Sequence, residues 1–406
     1  MSQDKRFARL QQVQQTAYQL APAIRQMFDR AGLAPADLKT VDDLSRLPVL
    51  KKESLVDLQQ QRPPFGGFLA AKDEDIARIF VSPGPINEPQ LRHDRDGHGF
   101  GTAFAAAGLG PGDRVLNTWS YHLVPAGLLL DEGLRAAGAT VIPAGTGGSE
   151  LQAKLVMDLN VTCICASTAF FITLAEAIEA MGHKLPGGWK VKSALLGGEL
   201  GDWLGKRRRL EAKYGIRTFA VYATADFGVI GFENGAQDGG YEIHQDRIVQ
   251  ICDPVTGAPL PQGEPGEIVV TTLTPGWPLI RFGTGDVAAA TATNADGTVQ
   301  RIGMLQGRVG QAVKAREIFI YPRQLEDLAI SIPGIERAQA IVARPQQREE
   351  ITLRLALSPD ADRDAVLGAV PARFTALSRL KADRIEIVSA DELPADAPFV
   401  VDRKDV

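Results

Sequence analysis

The chain has little cysteine, no long apolar run, no basic surplus and no repeat. Its three cysteines cannot build a disulfide framework. Cys163-Ile-Cys165 lacks the two-residue spacer of a redox or zinc pair. All three cysteines are expected to be reduced and structural, with the thiols of Cys163 and Cys165 on opposite faces of a strand. No apolar run reaches the length of a membrane-spanning helix. Met1-Ser-Gln-Asp-Lys-Arg opens no signal-like segment, so a soluble cytoplasmic protein is the expectation. A net charge of −5 argues against a nucleic acid or a membrane surface as partner. Lys206-Arg-Arg-Arg209 is the one dense basic run and reads as the solvated face of a helix.

At 45% hydrophobic and 23% charged residues the composition is that of an ordinary globular protein. A chain of 406 residues exceeds one core of common size, so two or three domains are expected. Residues 5–35 have the spacing of an amphipathic helix. Ile76–Val81 reads as a strand that Ser82-Pro-Gly-Pro85 breaks. From about 99 to 222, helix and strand alternate at the spacing of βαβ units, with strands at 114–117, 140–143, 161–166, 193–196 and 217–222. That pattern predicts a mainly parallel, doubly wound α/β sheet covered on both faces. From about 240 to 306, short turn-bounded strands predict a small β-rich subdomain. From 309 to 406 the pattern fits a small, mobile α+β domain whose last strand is Ile385–Val388. Residues 1–308 and 309–406 are therefore the two expected domains.

Chemistry gathers at the ends of predicted strands. Tyr222-Ala-Thr-Ala-Asp226 closes one strand, at the edge where open α/β sheets bind ligands. In Pro278-Leu-Ile-Arg-Phe-Gly-Thr-Gly-Asp286, the aspartate follows Gly-Thr-Gly at a strand end and can accept hydrogen bonds from two neighbouring hydroxyls. Gly307-Arg308 and Tyr321-Pro-Arg-Gln-Leu-Glu326 follow across the expected boundary.

The order and spacing of these segments, together with Gly197-Gly-Glu199, resemble the adenylate-forming enzymes, and within them the phenylacetate–CoA ligase family. The similarity runs from about Leu47 to Val401. It implies an AMP-forming acid–thiol ligase: ATP and a carboxylic acid give an acyl adenylate and pyrophosphate, and CoA sulfur then displaces AMP. On this resemblance Asp286 and Arg308 anchor the ribose, and Ser82 and Gly84 lie in the phosphate loop. Gly198 and Glu199 follow the adenine edge, Tyr222 stacks near the adenine or adenylate, and Thr224 bonds a phosphate oxygen. Asp226 takes the Mg²⁺ position, one methylene shorter than the family's glutamate. Tyr121, His122, Gly147 and Gly148 line the acid pocket, Gly310 is the hinge, and Lys314 meets the ligand from the C-terminal domain. ATP/AMP, Mg²⁺ and CoA are the implied cofactors and a small aryl or acyl acid the substrate. No structural zinc is expected, since only His244 and Cys252 lie near the region where some relatives bind one.

Three positions depart from the family pattern. Glu88 stands where the phosphate loop commonly has a lysine, and prolines in that loop remove amide donors. Glu317 replaces a glycine in the hairpin after Lys314. Pro398 holds the place of the C-terminal lysine, with Lys404 several residues on. The alternative reading is thus a catalytically impaired protein of this fold that binds acyl-CoA, nucleotide or a partner. An enzyme that loads a carrier protein is also open. A homodimer is a common arrangement for soluble enzymes, but the sequence does not fix the oligomeric state.

Overall fold

The computed structural model describes residues 3–82, 85–197, 203–316, 318–345 and 349–403. The chain divides into two compact units. The first takes in residues 1–199, 204–284 and 289–304, the second residues 200–203, 285–288 and 305–406.

In the first unit five parallel strands lie in the order Thr140–Pro143, Arg114–Asn117, Cys163–Ala166, Ser193–Leu196 and Arg217–Phe219. Helices Ala126–Ala136, Ser149–Asp158, Thr168–Ala180 and Trp203–Tyr214 connect them. Every residue of Cys163–Ala166 is buried, as a central strand covered on both faces must be. Ser167 caps the next helix by accepting from the Phe170 amide at 3.3 Å. The expected opposition of Cys163 and Cys165 is wrong. Two residues apart on a strand, they share a face. Both pack into one apolar cluster with Phe104, Leu129 and Leu134.

The expected strand 217–222 breaks at Ala220. Its amide donates to Glu233 Oε2 at 2.8 Å, and Glu233 pairs with the buried Arg207 at 2.5 Å. The chain leaves the parallel sheet after Phe219 and continues as Val221–Thr224, the edge of a second sheet. That nine-stranded sheet runs in the order Arg247–Cys252, Pro265–Thr272, Phe282–Thr293, Val299–Ile302, Tyr241–Ile243, Gly228–Phe232, Val221–Thr224. Leu50–Lys51 and Gly307–Arg308 pair off this path with Phe282–Thr293. The β-rich part thus begins some twenty residues before the expected 240.

Elsewhere in this unit, residues 5–35 form two helices, Gln3–Leu20 and Pro22–Arg30, because a proline opens the second. Ile76–Ser82 pairs with Ile86–Leu91 in a hairpin whose second arm the prolines concealed.

The second unit contains a four-stranded sheet in the order Arg384–Val388, Glu350–Leu357, Ile335–Ala343, Val400–Arg403. Helices Pro322–Ser331 and Arg363–Ser378 contribute Leu325, Leu328, Val366, Val370 and Phe374 to its core. The last strand is therefore Val400–Arg403, which pairs parallel to Ala340–Ala343, and not the expected Ile385–Val388.

Candidate functional site

The crossing between the two sheets of the first unit builds a site. Val221–Thr224 and Gly228–Phe232 are antiparallel arms, and Ala225, Asp226 and Phe227 make the turn between them. Gly228 (φ +79°) permits that turn, since a Cβ there would lie 2.3 Å from the Cβ of His98. Beside the turn is a cavity of about 310 Å³. Phe100, Trp119, Leu129, Leu195, Val221 and Ala223 give it apolar walls, and Ser82 and Thr224 are its hydroxyls. Among the described residues no charged side chain lines it. Trp119 follows the strand Arg114–Asn117, and Gly197 follows Ser193–Leu196, so the cavity sits at the carboxyl edge of the parallel sheet.

Next to it lies a buried charged cluster. Asp226 is 1% exposed; Lys52 Nζ donates to its Oδ2 at 2.8 Å, and Trp277 Nε1 donates to its carbonyl at 3.0 Å. Glu88 is also buried, and its Oε1 accepts from Ser82 Oγ at 2.7 Å. Burial pushes the Glu88 carboxyl up to about 7, the Asp226 charge adding to the rise while Ser82 and Lys52 oppose it. Asp226 Oδ1, Glu88 Oε2 and Thr224 Oγ1 are buried without a hydrogen-bond partner among the described residues. Buried oxygens left unpaired cost free energy unless a ligand meets them. They are hard donors, the kind that suits a magnesium ion arriving with a nucleotide, which takes one or two carboxylates plus phosphate oxygens. Among the described residues no group of three or more His, Cys, Asp or Glu could hold a metal by itself.

Sequence reasoning missed Lys52, and a signal for it was there. Lys51 and Lys52 stand at the N-cap and first residue of the helix Lys52–Gln61. The helix dipole disfavours cations at that end. Distant carboxylates explain both: Lys51 Nζ meets Glu267 Oε2 at 3.3 Å, and Lys52 meets Asp226. Two hydrogen bonds of 2.8 Å between Gln59 and the Asn87 backbone tie the same helix to the Glu88 arm of the hairpin.

A phenylacetate-coenzyme A ligase of Thermus thermophilus is 31% identical to this chain over 364 residues, which are 86% of this chain and 80% of that one. The chain belongs to the phenylacetate–CoA ligase family. The ligases of the same name from Pseudomonas putida and Escherichia coli are each 30% identical. Those alignments cover 80% and 77% of this chain, and 74% and 72% of theirs. No protein-family model matches the chain. Among solved structures, a 2-hydroxyisobutyryl-CoA ligase in an open conformation with 2-HIB-AMP and CoA aligns with a TM-score of 0.84 at 24% identity. It covers 98% of this chain and 91% of that one. Apo MatB from Rhodopseudomonas palustris aligns at 0.55 and 17%, over 82% and 67%. At these identities the structural matches establish the adenylate-forming fold.

Of the residues that the phenylacetate–CoA ligase pattern singled out, Ser82, Thr224 and Asp226 come together in the first unit. Tyr222 does not join them. Strand alternation puts Val221 and Ala223 on the cavity and turns Tyr222 away, 5% exposed, against Tyr241 with ring centroids 6.0 Å apart. Tyr121, His122, Gly147 and Gly148 are not among the cavity's lining residues, whereas Trp119, Val124, Pro125 and Ala126 are. The Tyr121 hydroxyl is taken up by Asn117 Nδ2 at 2.9 Å and Asp131 Oδ2 at 3.1 Å, and His122 is exposed. Gly147 and Gly148 lie in the loop before the helix Ser149–Asp158, and the Gly147 carbonyl accepts from Gln152 Nε2 at 2.6 Å. Arg281 is fully buried and bonds the Leu47 carbonyl at 2.8 Å and the Gly257 carbonyl at 2.5 Å, a structural role. His244 Nδ1 accepts from the Asp246 amide, and Cys252 Sγ faces Arg281 Nη2 at 3.4 Å.

In the second unit Asp286 and Arg308 stand directly opposite in an antiparallel pair, with Arg308 Nε 3.1 Å from Asp286 Oδ1. Gly310 lies in a single 3₁₀ turn, Val309–Gln311, and is exposed. Lys314 lies over the Phe319 ring in the hairpin Val313–Ala315/Ile318–Ile320. The Pro398 carbonyl accepts from Gln339 Nε2 at 2.7 Å, and Arg337 stacks on Phe399. Gly84, Gly198, Glu199, Glu317 and Lys404 lie outside the described residues.

Proposed function

We propose that this protein is an AMP-forming acid–thiol ligase that adenylates an apolar carboxylic acid with ATP and passes the acyl group to CoA. One observation carries the reading: a cavity of about 310 Å³, apolar and uncharged in its described lining, opens on Ser82 and Thr224, two residues before Asp226, whose second carboxylate oxygen is buried without a partner among the described residues. That is the arrangement needed to hold an aryl or branched acyl tail dry while its carboxylate meets a phosphate. Asp226, with Glu88, would hold the magnesium ion of ATP, which offsets phosphate charge. Thr224 and Ser82 donate to phosphate oxygens, and Asp286 accepts from the ribose hydroxyls with Arg308 orienting it. The relatives' name makes phenylacetate the first acid to try. CoA is the thiol in the relatives' name, and a carrier-protein pantetheine has the same reacting group.

The test is pyrophosphate release on mixing the full-length protein with ATP, magnesium and phenylacetate or other aryl and short acyl acids. Asp286→Ala serves as the control. Release that depends on the acid and falls in the variant supports the reading. ATP that neither binds nor turns over with any acid overturns it. Pro398 at the position of the C-terminal lysine favours a second reading, an impaired ligase that binds without adenylating. It predicts binding of CoA or AMP with no pyrophosphate release.

A further inference from the structure

Between Ser82 and Pro89 the chain has no lysine or arginine, and Glu88 is its one charged residue there. A site that binds triphosphate needs a cation, and this segment supplies none. Lys52 is the cation that meets the cluster, from a helix distant in sequence. Three facts mark it as more than a structural ion pair. It occupies the first residue of a helix, where its charge opposes the dipole. Its side chain is 28% exposed while Asp226 is 1% exposed, so the ammonium has a path outward on its flexible stem. The Asp226 it touches keeps a second oxygen unpaired among the described residues, and Thr224, two residues earlier at the cavity, has an unpaired hydroxyl there too.

We propose that Lys52 is a catalytic residue of adenylation, binding the pyrophosphate leaving group in place of a cation in the phosphate loop. This rests on the adenylating reading above. In the step, an oxygen of the acid's carboxylate attacks the α-phosphorus and forms the new P–O bond. The bond from that phosphorus to the bridging oxygen breaks, and its electron pair leaves on pyrophosphate. The Lys52 ammonium donates N–H bonds to the oxygens that gain charge and keeps its proton. A donor aimed at developing charge lowers the barrier of the step in which that charge appears. The second half-reaction, thiol attack on the acyl adenylate, releases AMP and involves no pyrophosphate, so Lys52 has no part in it.

The experiment compares full-length wild type with Lys52→Met, Lys52→Arg and the double variant Lys52→Met/Asp226→Asn. The double variant removes both charges, so Asp226 is not left as a buried carboxylate without its cation. Each is assayed twice: pyrophosphate release from ATP, magnesium and phenylacetate, and phenylacetyl-CoA formation from synthetic phenylacetyl adenylate and CoA. Lys52→Met is expected to slow the first assay roughly 100-fold and to leave the second within about twofold. Lys52→Arg is expected to keep part of the first rate, and the double variant is expected to restore none of it. Equal losses in both assays would make Lys52 structural and overturn the proposal. So would recovery in the double variant, since Lys52 would then serve only to neutralise Asp226. A wild type that makes thioester from the adenylate but a Lys52→Met variant with unchanged pyrophosphate release sinks this inference alone. A wild type silent in both assays sinks the ligase reading and this inference with it.

Discussion

Glu88 is where a single carboxyl decides most. The sequence resemblance implied a lysine there, and burial raises the carboxyl to about 7. A raised folded-state value means that folding favours the protonated acid. Its contribution to stability is full below the ordinary glutamate value and is lost as pH climbs through about 7. Across that window the wild type should lose roughly 3 kcal/mol relative to Glu88→Gln, which carries no such proton. Urea midpoints of both proteins from pH 4.5 to 8.5 measure this. The gap should widen in the variant's favour up to about pH 7 and then stay constant. Parallel curves across the whole range would refute the assignment. Legibility at this scale was uneven. The place of Thr224 and Asp226 at a strand end was legible, because the apolar run stops there. The face that Tyr222 takes on that strand was not legible, because it depends on which side meets the cavity. Lys52 pairs with a residue 174 positions away, and only its misfit at a helix start pointed to it.

The turn between Val221–Thr224 and Gly228–Phe232 is the element on which the site depends. A methyl group at Gly228 would stand 2.3 Å from the His98 Cβ and 2.5 Å from the His98 carbonyl oxygen. That carbonyl already accepts from the Val229 amide at 3.0 Å, so the backbones there cannot separate without loss. With φ at +79° the substitution is strained as well as crowded. Gly228→Ala is expected to cost on the order of 3 kcal/mol, read as a lowered melting temperature. It should also displace Asp226 and so weaken ATP·Mg²⁺ binding in titration calorimetry. A variant that keeps both properties would show that the turn is not held as described. Strands at 114–117, 140–143 and 193–196 were legible to the residue because glycine- and proline-rich turns bound short apolar runs. The break at Ala220 was not legible. Its cause is the long-range Glu233–Arg207 pair, and apolar residues continue on both sides of it. Ile86–Leu91 and Val400–Arg403 were hidden for a related reason. Prolines in and beside them read as breaks, yet pairing partners elsewhere in the chain hold both segments extended.

Over the whole molecule, the sequence changes pattern near Gly307–Gly310, and one compact unit takes in residues 200–203, 285–288 and 305–406. What the sequence did not reveal is that residues 285–288 group with the later unit, through the pairing of Asp286 and Val287 with Arg308 and Gly307. Whether residues 309–406 are a domain in the physical sense turns on whether their core closes on itself. The apolar cluster of that unit runs from Val313 to Val400 and, among the described residues, draws on none outside that span. Among the described residues a four-stranded sheet, the hairpin Val313–Ala315/Ile318–Ile320 and two helices supply it, with Asp362 capping the second helix through the Ala365 amide at 3.1 Å. A segment of that length with one closed core is large enough to fold alone. Expressed by itself, 309–406 is therefore expected to unfold cooperatively on heating, and the full chain to show a matching transition in calorimetry. Phe374, fully buried in the cluster, separates this from coincidence. Phe374→Ala should cost about 3–5 kcal/mol in the fragment. In the full chain it should lower one transition and leave the other in place, because the lost contacts belong to one core. If both transitions move together, or only one exists and shifts as a whole, the two units share a single cooperative core. The boundary read from the sequence would then mark a change of pattern without a change of domain.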